Sequence, residues 1–172
     1  MHDYSIQPAR PEHVRVLPEI ERAAAEGFPE HLMPRELRGS VQSVDELEQA
    51  RSGGRLWVAL SARGGPVGFA VGEHAGDAAM LAEVDVHPDH QGHGVGRRLI
   101  EAVVVWARRE KKTALALTTF AGVPWNGPFY ERLGFRTLDQ DELSERLASI
   151  LESERRSGLQ DRVAMSLDLT DA

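Results

Sequence analysis

The run Val86-His87-Pro88-Asp89-His90-Gln91-Gly92-His93-Gly94-Val95-Gly96-Arg97-Arg98-Leu99 constrains the fold more than any other part of this chain. An alternating apolar stretch stops at a proline, three glycines follow, and an amphipathic pattern begins, so the segment reads as strand, turn and helix. Glycines let the backbone pass close to a ligand, and the unpaired N–H groups at a helix start favour anionic oxygens such as phosphates. Other phosphate loops fit worse. A dinucleotide fingerprint needs G-x-G-x-x-G with an acid about 20 residues on, whereas glycines 92, 94 and 96 give G-x-G-x-G, and no Gly-Lys-Ser/Thr occurs. Taken by itself, the turn would also serve tight strand-to-helix packing with no ligand at all.

The chain has 172 residues, 41% of them hydrophobic, enough for one sizeable core, and residues 1–172 read as a single domain. Zero cysteines exclude disulfides, thiolate metal sites and a cysteine nucleophile. The opening Met1-His2-Asp3-Tyr4-Ser5 has no basic, apolar signal pattern, and no window approaches about 18 uninterrupted apolar residues, so the expectation is a cytoplasmic protein with no membrane contact. A formal charge of −7 argues against nucleic acid as partner. It would suit a cationic substrate, although an acidic balance is usually only a solubility feature.

Strands and helices alternate along the chain. A first strand is expected at residues 4–7, and Pro11 opens a helical pattern in which Val14, Leu17, Ile20 and Ala24 share a face. Residues 27–43, interrupted by Pro29 and Pro34, read as a loop or broken helix. Ser43-Val44-Asp45-Glu46 is a capping box for a short helix ended by Gly53-Gly54. Residues 55–61 and 66–73 form a hairpin around Arg63-Gly64-Gly65, and residues 79–86 form the next strand. Its alternation puts Met80, Ala82, Val84 and Val86 on one face and Leu81, Glu83 and Asp85 on the other. The helix over 94–110 carries a stripe of Val95, Leu99, Ala102, Val103 and Trp106, and a strand follows at 113–120.

A second motif is Val123-Pro124-Trp125-Asn126-Gly127-Pro128-Phe129-Tyr130-Glu131-Arg132-Leu133-Gly134-Phe135. Proline and asparagine start a short helix, Phe129 and Leu133 pack inward, and Gly134 stops it before a strand at 135–138. Alone, this is a core-facing helix with a glycine cap. Together, Gln91-x-x-Gly94-x-Gly96 and Phe129-Tyr130-x-x-x-Gly134-Phe135 resemble the two halves of the coenzyme site in GNAT-type N-acetyltransferases, with the resemblance strongest over residues 55–135.

The resemblance implies an α/β (α+β) fold with a mixed, mainly antiparallel sheet and helices on both faces. It implies acetyl-coenzyme A as co-substrate, with no metal, and an amine acceptor. Coenzyme contacts fall on Val84, Asp85 and Val86 for the pantetheine, and on Gln91, Gly92, His93, Gly94, Val95, Gly96 and Arg97 for the pyrophosphate. Asn126 is a further candidate contact, offset from the family's usual asparagine position, which holds Val123 here. Tyr130 matches the tyrosine that donates to the sulfur. Glu83 is the candidate base, with Asp85 as the alternative; structurally the pair could equally lie on a solvated face or join ion pairs. His87, His90 and His93 could be imagined as metal ligands, yet the anion loop explains them as well. Residues 27–43 would border the acceptor site. Residues 139–158, with Asp139-x-x-Glu142 as a capping box and Leu143, Leu147, Ile150 and Leu151 as a stripe, would add a helix that covers the core, shapes that pocket or joins two copies in a homodimer. Three functions are carried forward: acetyl transfer to a primary amine of a small molecule, the same chemistry on a protein N-terminus or lysine, and a non-catalytic acyl-coenzyme A-binding regulatory module.

Overall fold

The computed structural model describes residues 4–170. Its frame is a seven-stranded sheet ordered β1-β2-β3-β4-β5-β7-β6, built from β1 (Ser5–Pro8), β2 (Leu56–Leu60), β3 (Pro66–Ala75), β4 (Ala78–Val86), β5 (Ala114–Phe120), β6 (Arg136–Thr137) and β7 (Arg162–Asp168). Every neighbouring pair is antiparallel except β4 and β5. Helices α1 (Pro11–Val14), α2 (Leu17–Ala25), α3 (Val44–Ser52), α4 (Val95–Arg109), α5 (Gly127–Arg132) and α6 (Glu145–Ser157) complete the frame. Among the described residues no helix is long and apolar enough to cross a membrane.

Strand alternation sorts the core onto two faces. Trp57, Ala59, Ala70, Ala79 and Leu115 meet Leu99, Val103 and Trp106 of α4, with Tyr130 of α5 in the same cluster. Leu56, Val58, Phe69 and Val71 point the other way, onto Val14, Leu17, Ile20 and Leu47. Leu99 is fully buried, so truncating it to alanine would cost about 2–5 kcal/mol. The α4 stripe is wider than the sequence pattern suggests: Ile100 and Ala107 are buried, and Ala102 only half so. The helix expected from Pro11 is two helices, because Pro18 has no N–H to bond back one turn. Its predicted apolar residues are buried all the same. Ser43 and Glu46 form the expected capping box on α3. The Asp139–Glu142 box closes only a 3-10 turn; α6 starts later, where Ser144 Oγ accepts from the Leu147 N–H at 3.2 Å. Leu147 then covers Met80, Ala116 and Ala164.

The predicted faces of β4 are wrong beyond its middle. Pairing with β3 shifts from Val71↔Glu83 to Gly72↔Leu81, leaving Ala82 as an extra residue, a bulge. Ala79 and Leu81 face α4 before it, and Val84 and Val86 face α4 after it, while Met80 and Ala82 contact the opposite layers. One inserted residue thus keeps two apolar runs on one face and turns the Glu83 and Asp85 carboxyls toward α2. β4 and β5 pair only at Ala79↔Leu115 and Met80↔Ala116. Past Met80 the two strands separate, and the middle of the sheet opens.

Candidate active site

The opening between β4 and β5 holds a cleft of about 470 Å3. Val84, Asp85 and Val86 form one wall, and Gln91, Gly92, Gly94, Val95, Gly96 and Arg97 form the end at the start of α4. Asn126 and Tyr130 close the β5 side. Of the coenzyme-contact residues expected from sequence, His93 alone does not line the cleft; its ring stands beside Tyr4 and its Nδ1 lies 3.4 Å from the His90 carbonyl. Glu83 lines a second cavity instead. Ala24, Phe28, Trp125 and Arg132 also line the cleft, although the sequence reading gave none of them individually a coenzyme contact. Phe28 sits in the unpatterned 27–43 region, where its ring meets Phe120 at 5.0 Å and Trp125 at 6.0 Å.

Backbone geometry explains two of the glycines. Gly92 and Gly94 both have φ of +75°, a left-handed conformation that costs other residues about 1–2 kcal/mol, and Gly94 is the N-cap of α4. Gly96 differs. A Cβ there would stand 3.8 Å from Phe129 and Val86, ordinary contact, so nothing in the fold itself demands glycine. The Gln91 side chain donates to the Val86 carbonyl at 2.9 Å, tying the loop to the end of β4. Tyr4 O–H lies 3.0 Å from His90 Nδ1, and Arg98 donates to the Tyr4 carbonyl, so β1 braces the same loop. The three loop histidines each have a partner at Nδ1: His87 Nδ1 accepts from the Asp89 N–H, His90 Nδ1 faces Tyr4, and His93 Nδ1 faces a carbonyl.

A second cavity of about 340 Å3 lies across the opening and shares Phe28, Val84, Asp85, Asn126 and Tyr130 with the first. Carboxylate oxygens of Glu21, Glu83 and Asp85 there lie within 4.8 Å of one another. Glu21, on α2, was not singled out from sequence, since nothing distinguishes it from its solvated neighbours. Burial, then the charge of Glu83, pushes its pKa up to about 8, although the Gln42 N–H donates to it at 2.9 Å. Glu83 is raised by burial, partly offset by a hydrogen bond from Asp85 and by Arg162. Asp85 is raised well above the usual range by burial and by the two neighbouring glutamates. The three groups share protons rather than ionising together. Tyr130 is itself buried, its ring set between Phe129 at 5.3 Å and Phe135 at 5.6 Å. Tyr130 and Gly127 are the buried residues of α5, whereas the sequence pattern favours Phe129 and, just past the helix, Leu133, both only partly buried. Burial and the Glu83 and Asp85 carboxyls hold the Tyr130 phenol protonated far beyond neutral pH. Asn126 Oδ1 accepts from Thr119 Oγ at 2.7 Å, which leaves its NH2 as the group free to donate.

The family model of the acetyltransferase (GNAT) domain matches residues 52–137, half of the chain. The chain belongs to this acetyltransferase family and is an acyltransferase. Solved structures share the fold. Rv2747 of Mycobacterium tuberculosis, in complex with CoA and NLQ, is 19% identical with a TM-score of 0.71, over 95% of this chain and 98% of its own. The ribosomal-protein-S18-alanine N-acetyltransferase of Escherichia coli is 21% identical at 0.68, over 99% and 96%. A nourseothricin acetyltransferase is 29% identical at 0.52, over 67% and 65%.

Proposed function

We propose that this protein transfers the acetyl group of acetyl-coenzyme A to the primary amine of a small molecule by direct attack, with Glu83 receiving the acceptor proton and Tyr130 assisting the departing sulfur. The observation that carries this reading is the meeting of two cavities, one from each side, at Asp85, Asn126 and Tyr130. Acetyl-coenzyme A, when bound, supplies a thioester carbonyl activated for attack by nitrogen. The first N–H groups of α4 and the side chains of Arg97 and Arg132 would hold its pyrophosphate. The edge of β4 past Met80, unpaired with β5, offers backbone groups at Val84, Asp85 and Val86 to the pantetheine amides. Gly96, for which the fold has no need, leaves room for close approach.

Two proton problems then fall to named residues. An alkyl ammonium with a pKa of about 10.4 must lose its proton before attack. Burial of Glu83 raises its pKa and narrows the gap to that ammonium. As the C–N bond forms and the C–S bond breaks, a thiolate leaves, and a thiol is a stronger acid than a phenol, at about 8.5 for cysteine against about 10 for tyrosine. The Tyr130 phenol holds its proton more tightly than that, so its contribution is a hydrogen bond to the developing negative charge, and solvent supplies the sulfur's proton.

By their names, one neighbour acts on a ribosomal protein and another on nourseothricin, so likeness of fold does not choose the acceptor. The partial cover over the second cavity supports a small one. The Gln160 N–H donates to the Leu32 carbonyl at 3.0 Å, and Gly158 stands against Pro34 and Leu37, so the end of α6 meets the 28–41 segment over it. Arg38 stiffens that segment through the Phe28 carbonyl at 2.7 Å and Glu26 at 3.1 Å. Coenzyme A release with small primary amines, but not with peptides, is the expected result. Release with peptides alone would transfer the reading to a protein acceptor, and binding of acetyl-coenzyme A with no transfer to any amine would make the chain a binding module.

A further inference from the structure

The charge balance of the second cavity is one-sided. Two arginines line it, but both are already engaged: Arg162 Nε and Nη2 each donate to Glu154 at 3.0 Å, with Nη2 also donating to Thr118 Oγ, and Arg38 is spent on Phe28, Met33 and Glu26. Glu154 is consumed in turn by Arg162 and by the Thr118 hydroxyl at 2.7 Å. What remains facing the space is Glu21, Glu83 and Asp85. Within that trio the Asp85 carboxyl hydrogen-bonds Glu83, yet its Oδ2 has less than 1 Å2 exposed and no partner, in a residue that lines both cavities. A buried oxygen left in that condition costs free energy until a donor arrives.

Resting on the acetyl-transfer function above, we propose that the acceptor is a compact molecule bearing two amino groups and no carboxylate, and that Glu21 is the specificity-determining residue that holds the amino group that does not react. Three carboxyls so close cannot all ionise without counter-charge. The reacting amine becomes neutral before it attacks, so it cannot provide lasting counter-charge; a second ammonium, kept protonated at Glu21, can. Glu21 suits this role because it comes from α2 rather than from β4, which carries Glu83 and Asp85, and its carboxylate accepts from the Gln42 backbone N–H rather than from a cation. A carboxylate on the acceptor would meet three acids and no free arginine. The cavity volume of about 340 Å3 suits a compact molecule.

The test compares kcat/KM for putrescine, butylamine and γ-aminobutyrate, which share a chain length and differ only in the second group, in the wild type and in Glu21→Gln and Glu21→Asp. Putrescine should exceed butylamine by about tenfold or more, mainly through KM, with γ-aminobutyrate slowest. Glu21→Gln should bring the putrescine-to-butylamine ratio close to one, and Glu21→Asp should keep part of it. Wild-type affinity of Glu21→Gln for coenzyme A establishes that the variant is folded. Equal turnover of putrescine and butylamine in the wild type, faster turnover of γ-aminobutyrate, or an unchanged ratio in folded Glu21→Gln would each overturn the diamine proposal and leave acetyl transfer standing. Coenzyme A binding without turnover of any of these amines, or of any amine pool, would overturn both.

Discussion

Replacing Gly96 by alanine should raise stability and lower coenzyme affinity in one step. The added Cβ would sit 3.8 Å from Phe129 Cζ and from Val86 Cγ2, contact without overlap. The residue is helical, in the first turn of α4. Alanine for glycine in a helix gains up to about 1 kcal/mol, less near an end, so about 0.5 kcal/mol and a rise of one or two degrees in Tm are expected for a chain of this size. The same methyl would project into the cleft where backbone and phosphate are to come together, and a loss of about tenfold or more in Kd, about 1.4 kcal/mol, should follow. Gly94→Ala is the control with the opposite sign of stability, since φ of +75° costs it about 1–2 kcal/mol. Calorimetric titration with coenzyme A, beside a melting curve for each variant, reads both quantities. Wild-type affinity in a Gly96→Ala protein that melts no lower would refute phosphate binding at this helix start.

Tyr130→Phe keeps the ring between Phe129 and Phe135, so Tm and coenzyme affinity should hold while kcat falls roughly ten- to a hundredfold; unchanged kcat would reduce Tyr130 to a core aromatic. Glu83→Gln should lower kcat roughly ten- to a thousandfold, with the deficit shrinking at high pH where free amine is abundant; if Asp85→Asn behaves this way and Glu83→Gln does not, the two roles are exchanged. Glu21 binds its proton more tightly folded, at about 8, than at the ordinary 4.5, so it favours the folded state below about 4.5 and that advantage is lost as pH rises to about 8. Glu21→Gln removes the loss, and its Tm relative to wild type should climb by a few degrees across that window and then level off; a difference independent of pH would contradict the raised pKa.

The end of the first cleft was legible in the sequence because its parts are local. Gln91 to Arg97 form one turn and one helix start, and the need for glycine at 92 and 94 follows from backbone conformation that sequence spacing announces. The faces of β4 were not legible: strict alternation is the right rule for an unbroken strand, and the single extra residue at Ala82 reverses it with no glycine or proline to mark the place. Glu21 and Phe28 escaped for another reason. They reach the site from α2 and from the irregular segment after it, and only long-range packing brings them to Asp85 and Asn126. The arginine–glutamate pair at Arg162 and Glu154, which leaves the acids of the second cavity only partly compensated, depends likewise on α6 folding back beside β7.

Direct transfer is the centre of this account, and intact-mass measurement on the protein and the amine together tests it most closely. With acetyl-coenzyme A alone, the protein mass should stay unchanged, in keeping with a chain that has no cysteine and a site in which two cavities meet. With a diamine added, the amine should gain one acetyl group for each coenzyme A released while the protein mass still does not move. An acetylated form of the protein that builds up without amine and is discharged when amine is added would contradict direct attack.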